Sequence, residues 1–355
     1  MTLAHARSTS PAPGSGVAAP SHRHGGGLAA GLVVLVGVLA VVAFVSVTLG
    51  TRDVGLATIW KAFTDFDPDN TSETVIRELR VPRTLVGLVA GMSLGLAGAI
   101  LQGVTRNPLA DPGIMGINTG ASAFIVVSIM VLGVQGLGTY IWFGFLGAAV
   151  AIFVVYGVAS FGREGATPVK LALAGAAVTA GFYSVTTGVV MTNVDALNEL
   201  RFWQVGSIAG RYWPVFTQTA PFMAVGVAVA LFSGRALNGL SLGDDMAVAL
   251  GQRIRLTRSI MFVSVAVLAG AATAACGPIV FIGLVVPHVA RALCGPDYRW
   301  VMVYTALLSP IILLSADIIG RVSAGDGELQ VGVVLGVLGA PAFIALVRRR
   351  DLAEL

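Results

Sequence analysis

From Leu28 onward the chain is a succession of apolar runs of about membrane-spanning length, separated by short polar stretches. The first is Leu28 to Gly50, which exceeds the roughly 7 to 15 apolar residues of a signal-peptide core and lacks a clear small-x-small cleavage site. It reads as a transmembrane helix. Further runs lie near 84–104, 114–134, 140–161, 168–191, 213–233, 259–275, 278–294, 300–320 and 329–347, so the pattern predicts an all-α polytopic membrane protein of about ten crossings. Between the first two runs, Thr51 to Glu78 is polar, and Val54, Leu56, Ile59, Trp60 and Phe63 are spaced for a short amphipathic helix at the interface. Cys276, Gly277 and Pro278 interrupt runs seven and eight, which read either as two helices or as one kinked helix.

Before the first run, residues 1–27 are rich in Ser, Pro, Gly and His without apolar periodicity, which predicts a disordered tail. His5, His22 and His24 in that tail are read as incidental rather than as metal ligands. The predicted organisation is a tail (1–27), a transmembrane domain (28–347) and a short C-terminal tail (348–355).

Composition narrows the class. The chain of 355 residues is 56% hydrophobic and 11% charged with a mean hydropathy of +0.86, which excludes an ordinary soluble domain. Glycine contributes 45 residues, a surplus suited to helices that approach closely through small side chains. The net charge of +4 comes from basic residues scattered between apolar runs, so nucleic acid is not an expected partner. Cys276 and Cys294 read as small buried side chains, with no disulfide framework and no metal site.

Orientation follows from Lys and Arg counted by side. With the N-terminus inside, 14 of the 22 fall on the inner side, including Arg106, Arg163, Lys170, Arg235, Arg253, Arg255, Arg258, Arg291, Arg299 and the Arg348-Arg349-Arg350 cluster. The outer 8 include Arg52, Arg77, Arg80, Arg83, Arg201, Arg211 and Arg321. The positive-inside rule then predicts both termini on the cytoplasmic side of the cytoplasmic membrane.

Candidate chemistry concentrates in a few stretches. Arg80 to Ser122 combines two arginines, a glycine-rich run and an elbow in which Asn107, Pro108, Asp111 and Pro112 end one helix and begin another, with Asn and Asp satisfying exposed backbone groups. Leu237 to Gln252 is flanked by arginines, and Asp244 and Asp245 suit the N-terminus of a short helix. Its apolar Leu240, Leu242, Met246, Val248 and Leu250 are too many to leave in water without a partner. His288, after Pro287, is expected to hydrogen-bond a carbonyl freed by the proline rather than to relay protons.

Arg80 to Ser122, LNGLSLGDDMAVALGQ (237–252), GPIVFIGLVVPHVAR (277–291), ADIIGR (316–321) and ELQVGVVLGVLGAPAF (328–343) together resemble the signature of the FecCD family of binding-protein-dependent ABC permeases. That resemblance covers the chain from about residue 28 to its end. It implies a subunit that pairs with an identical or homologous permease, two cytoplasmic ATPase subunits that use ATP and Mg, and an extracytoplasmic substrate-binding protein. Arg80, Arg83 and Arg321 match family positions that meet acidic groups of the binding protein. Leu240, Leu242, Gly243, Asp244, Asp245, Ala247, Leu250 and Gly251 match the segment that couples to the ATPase. Thr167 and Val169 match the cytoplasmic gate, more loosely, because Pro168 and Val169 replace small hydroxyl residues. Helix count and resemblance together imply an inverted repeat of crossings 2 to 5 and 7 to 10.

The implied function is import of a ferric siderophore, with haem and cobalamin as alternatives. An ion-coupled secondary transporter would need ionisable groups near the midplane, where His288 stands alone, and a membrane enzyme would need a catalytic cluster such as HExxH. No GxxxxGK[ST] sequence occurs, so the chain is expected to bind no cofactor and to leave ATP hydrolysis to a partner.

Overall fold

The computed structural model describes residues 25–50, 54–134, 136–161, 167–323 and 327–349. The tail with His5, His22 and His24, the positions Arg52, Arg163 and Arg350, and the C-terminal residues after Arg349 lie outside them. Among the described residues all regular structure is helical.

In chain order the helices are α1 (Gly25–Thr48), α2 (Leu56–Thr64), α3 (Thr71–Thr74), α4 (Val81–Thr105), α5 (Ile117–Leu132), α6 (Leu137–Ala159), α7 (Pro168–Thr192) and α8 (Val194–Gln204). After them come α9 (Trp213–Phe232), α10 (Gly234–Ser241), α11 (Asp244–Ala249), α12 (Ile254–Cys276), α13 (Ile282–Cys294), α14 (Tyr298–Ser323) and α15 (Val331–Arg349). Seven are long and apolar enough to cross a bilayer alone, with α4 extended backward through a π-helical turn, Val75–Arg80, and α3. The apolar helices α5, α13 and α15 are shorter. Each of the ten predicted runs therefore contains one helix.

The break at Gly277 separates two helices. Gly277 has φ +74° and Phe281 φ +69°, so the backbone leaves the helical path and α13 begins only at Ile282. A Cβ at Gly277 would strike the Trp203 carbonyl oxygen, so glycine is required there on two counts. The last helix runs to Arg349, two residues into the stretch expected to be a tail.

α4 and α12 form the centre and pack against each other, α4 also against α14 and α13, and α12 also against α6 and α9. Small residues make that centre possible. A Cβ on Gly98 of α4 would overlap the backbone of Gly283, which lets α4 and α13 meet with their main chains in contact. α1 stands at the periphery, packed mainly on α14 and exposing Val33, Val34, Val41 and Phe44 as a lipid-facing wall should. α2 is the expected amphipathic helix: Ile59 and Ala62 pack against Ile76, while Leu56, Trp60 and Phe63 are exposed on an apolar surface.

Candidate functional site

Two polar regions sit at opposite ends of the bundle. At one end, the expected basic residues gather around the C-terminus of α1. The last carbonyls of a helix have no partner within it, and here two guanidinium groups supply one. Arg80 donates to the carbonyls of Val47, at 3.1 Å, and Thr48. Arg321 donates to those of Ser46 and Leu49, each at 2.8 Å, and to the Ser46 hydroxyl at 2.9 Å. Positive charge at a helix C-terminus also complements its dipole. Arg83 makes a forked contact with Asp317, 2.7 Å from Nη2 to Oδ1 and 3.2 Å from Nε to Oδ2, and reaches Glu328 at 2.8 Å. Asp317 also takes Arg321 at 2.9 Å, one turn along α14.

These arginines are more enclosed than their places at helix ends suggest. Arg80 and Arg321 are only 6% and 4% exposed, so they are not side chains extended from an outer rim. They are structural caps whose polar edges, with Arg83 and Glu328, line a cleft of about 350 Å³ beside Tyr212 and Gly210. Among the described residues, three guanidinium groups face two carboxylates in this cluster.

At the other end lies the elbow. α4 ends on Arg106, whose φ of +50° turns the chain out of the helix. Asn107 Oδ1 accepts the Leu109 amide at 2.9 Å, and Asp111 Oδ1 accepts the Gly113 amide at 2.7 Å as it caps the 3-10 turn Pro112–Met115. Loss of solvent pushes the Asp111 carboxyl upward, and the Gly113 amide pulls it back.

The elbow is tied to α13 by a network not foreseen from sequence. His288 does not take a carbonyl freed by Pro287. Its Nε2 donates across to the Pro108 carbonyl at 2.9 Å, a pairing that leaves Nδ1 to accept from Arg291 at 3.3 Å. Arg291 also donates to Gln102 Oε1. The carbonyl that Pro287 does free, that of Gly283, is met by Gln102 Nε2 at 3.2 Å. One residue spacing could have signalled this: Gln102 is a lone amide in the apolar run of α4.

α10 and α11 project next to this network. Leu237, Leu240 and Ala247 are buried, so Leu240 and Ala247 pack the segment against the rest of the chain. Leu242, Met246, Val248 and Leu250 are each more than half exposed. Asp244 is bound within the chain, to Arg258 at 2.8 Å and Arg106 at 3.5 Å. Gly243 and Gly251 bracket α11 at φ +104° and +81°, values that favour glycine at both ends. Asn238 of α10 accepts the Tyr298 amide at 2.8 Å and donates to Asp297 at 2.7 Å, fixing the segment on the start of α14. Arg299 and Asn238 hold the Asp297 carboxyl low, at about 2.

Thr167 and Val169 open α7 at the same end. The Thr167 hydroxyl caps the helix by accepting from the Lys170 amide at 3.4 Å, and Val169 is exposed. Beyond them α7 leaves a face of small residues uncovered, among them Ala176, Ala177, Ala180, Gly181, Ser184 and Gly188. Among the described residues no group of three or more His, Cys, Asp or Glu is placed to hold a metal.

The FecCD transport family matches residues 38–349. The chain is 42% identical to the probable siderophore transport system permease protein YfiZ of Bacillus subtilis, covering 90% of this chain and 95% of that one. It is 43% identical to the ferric enterobactin transport system permease protein FepD of Escherichia coli, covering 88% and 93%. Among solved structures, a metal-chelate type ABC transporter in an inward-facing conformation superposes with a TM-score of 0.79 and 26% identity, over 91% of this chain and all of that one. A family match from residue 38 to 349, relatives 42% and 43% identical along most of their length, and seven helices able to span a bilayer converge: the chain belongs to the FecCD transport family, as a multi-pass membrane permease and not an enzyme.

Proposed function

We propose that the chain is the permease subunit of an ABC importer that carries a ferric siderophore across the cytoplasmic membrane, with both termini in the cytoplasm. The observation that carries this reading is the coupling segment. Four exposed apolar side chains, Leu242, Met246, Val248 and Leu250, stand on a short helix that internal salt bridges and glycine turns hold in place. Such a ridge in water is a docking surface for another protein, and a chain with no nucleotide-binding sequence needs an ATPase subunit to dock there. ATP and Mg belong to that partner.

A second permease copy, identical or homologous, packs along α7, whose uncovered face of small side chains suits close helix contact and a weakly binding pathway wall. Thr167 and Val169 lie at the cytoplasmic end of that wall and act as its gate. Halves built as an inverted repeat fit the same picture. In each, a long central helix (α4, α12) meets a Gly/Pro break, then a short helix (α5, α13) and two further helices follow.

At the outer face, an acidic side chain of the substrate-binding protein seats in the cleft lined by Arg80, Arg83 and Arg321, whose excess positive charge steers its approach. Arg83→Gln should slow that association and flatten its salt dependence, and an association indifferent to salt in both forms contradicts the docking reading. Siderophore as cargo rests on the names of the relatives. Uptake by a deletion strain complemented with this chain tests it: accumulation of ferric siderophore alone is expected, and accumulation of haem or cobalamin instead contradicts the assignment.

A further inference from the structure

The cytoplasm-facing polar region holds more positive charge than its own carboxylates neutralise. A cavity of about 280 Å³ opens there, lined by Gln102, Gly103, Arg106, Ser241, Arg291 and Tyr298, with Pro108 and Pro296 at its edges. That is room for roughly nine waters at about 30 Å³ each. Arg291 reaches it from α13, and its hydrogen-bond partners are neutral: the Gln102 amide oxygen, His288 Nδ1 and the Tyr298 hydroxyl. A guanidinium half withdrawn from solvent without a carboxylate beside it is costly unless an anion compensates it. Arg106 comes from the end of α4. Its one acid, Asp244 at 3.5 Å, is shared with Arg258, which holds that carboxylate more closely at 2.8 Å. Of the other acids described at this end, Asp297 is already engaged by Arg299 and Asn238, and Asp111 accepts the Gly113 amide within the elbow.

We propose that this cavity binds a phosphate-bearing anion, held by Arg291 and Arg106 with the Ser241 hydroxyl as a further donor. Planar guanidinium forks suit a tetrahedral oxyanion that offers several acceptor oxygens. The Ser241 hydroxyl, which donates to the Asn238 carbonyl at 2.8 Å, and the Tyr298 hydroxyl can turn to donate to the anion, and Gln102 Oε1 fixes the Arg291 fork in place. The site spans α4, α10, α13 and α14, so an anion there would clamp the coupling segment to the elbow. It stands on this cavity alone and does not require the siderophore assignment.

Two sources share this chemistry, free phosphate and the headgroup of an anionic lipid. The test uses the full chain in nanodiscs of neutral phosphatidylcholine, with the melting temperature followed as phosphate replaces chloride at matched ionic strength. A saturable rise of a few degrees is expected. Ser241→Asp places a carboxylate in the cavity and should remove the phosphate response while raising the starting melting temperature. If that variant does not fold, Arg106→Gln, an exposed position, should weaken the apparent phosphate affinity about tenfold or more. In discs containing phosphatidylglycerol, a lipid source predicts that the added-phosphate response disappears in the native chain and that the lipid survives purification with the native chain but not with the variant. A response to phosphate or phosphatidylglycerol equal in native and variant chains, or no response to either, overturns the proposal.

Discussion

Asp317 is 1% exposed and accepts both Arg83 and Arg321, while Arg321 reaches back to the end of α1. Removing that carboxylate strands two guanidinium groups in a region with little water. Asp317→Ala is therefore expected to destabilise the permease by about 3–5 kcal/mol, read as a lowered unfolding midpoint in denaturant titration of the reconstituted chain. Unchanged stability would contradict the internal network. The positions of Arg80, Arg83 and Arg321 at helix ends were legible in the sequence, and so was the one-turn spacing of Asp317 and Arg321. Their partners were not, because α1 and α14 lie some 275 residues apart in the pairs they form, and nothing local tells an arginine that caps a distant helix from one that faces water. His288 failed for a similar reason: its proline neighbour pointed to a local carbonyl, while the tertiary contact with the elbow supplied the Pro108 carbonyl instead.

At the scale of elements, long apolar runs were easy to place because burial in lipid demands continuous hydrophobicity and internal hydrogen bonding. α8 and α10 were missed because their polar composition carries no such signal. In the segment 237–252 the pattern picked out the apolar residues but could not divide inward from outward ones. A six-residue helix turning between two glycines takes its facing from its contacts. Met246→Asp combined with Val248→Asp leaves buried Leu240 and Ala247 untouched, so the fold should persist while transport falls by about tenfold or more. Full uptake by that variant, with normal ATPase co-purification, would contradict the docking ridge. The tether beneath it has its own signature. Asp297 is held at about 2 in the folded chain, below the roughly 3.9 of an unfolded aspartate. A depressed carboxylate stabilises the fold above its unfolded value and loses that contribution as pH falls through the folded one. The difference in melting temperature between the native chain and Asp297→Asn should thus be constant above about pH 4 and vanish between about pH 4 and pH 2. A difference that grows on acidification contradicts the assignment.

For the whole molecule, family membership joins parts that each have an ordinary structural reading. Glycine contacts between α4 and α13, arginine caps on α1 and an exposed ridge at α11 could serve many membrane proteins. Membership of the FecCD family gives their arrangement at opposite ends of one bundle a common purpose, that of a permease half. The direct test is uptake into proteoliposomes holding this chain with its permease and ATPase partners, supplied outside with the binding protein and a ferric siderophore. Accumulation that requires ATP in the compartment facing the coupling segment, and that vanadate stops, is the predicted result. Accumulation driven by a proton or sodium gradient without ATP would contradict it.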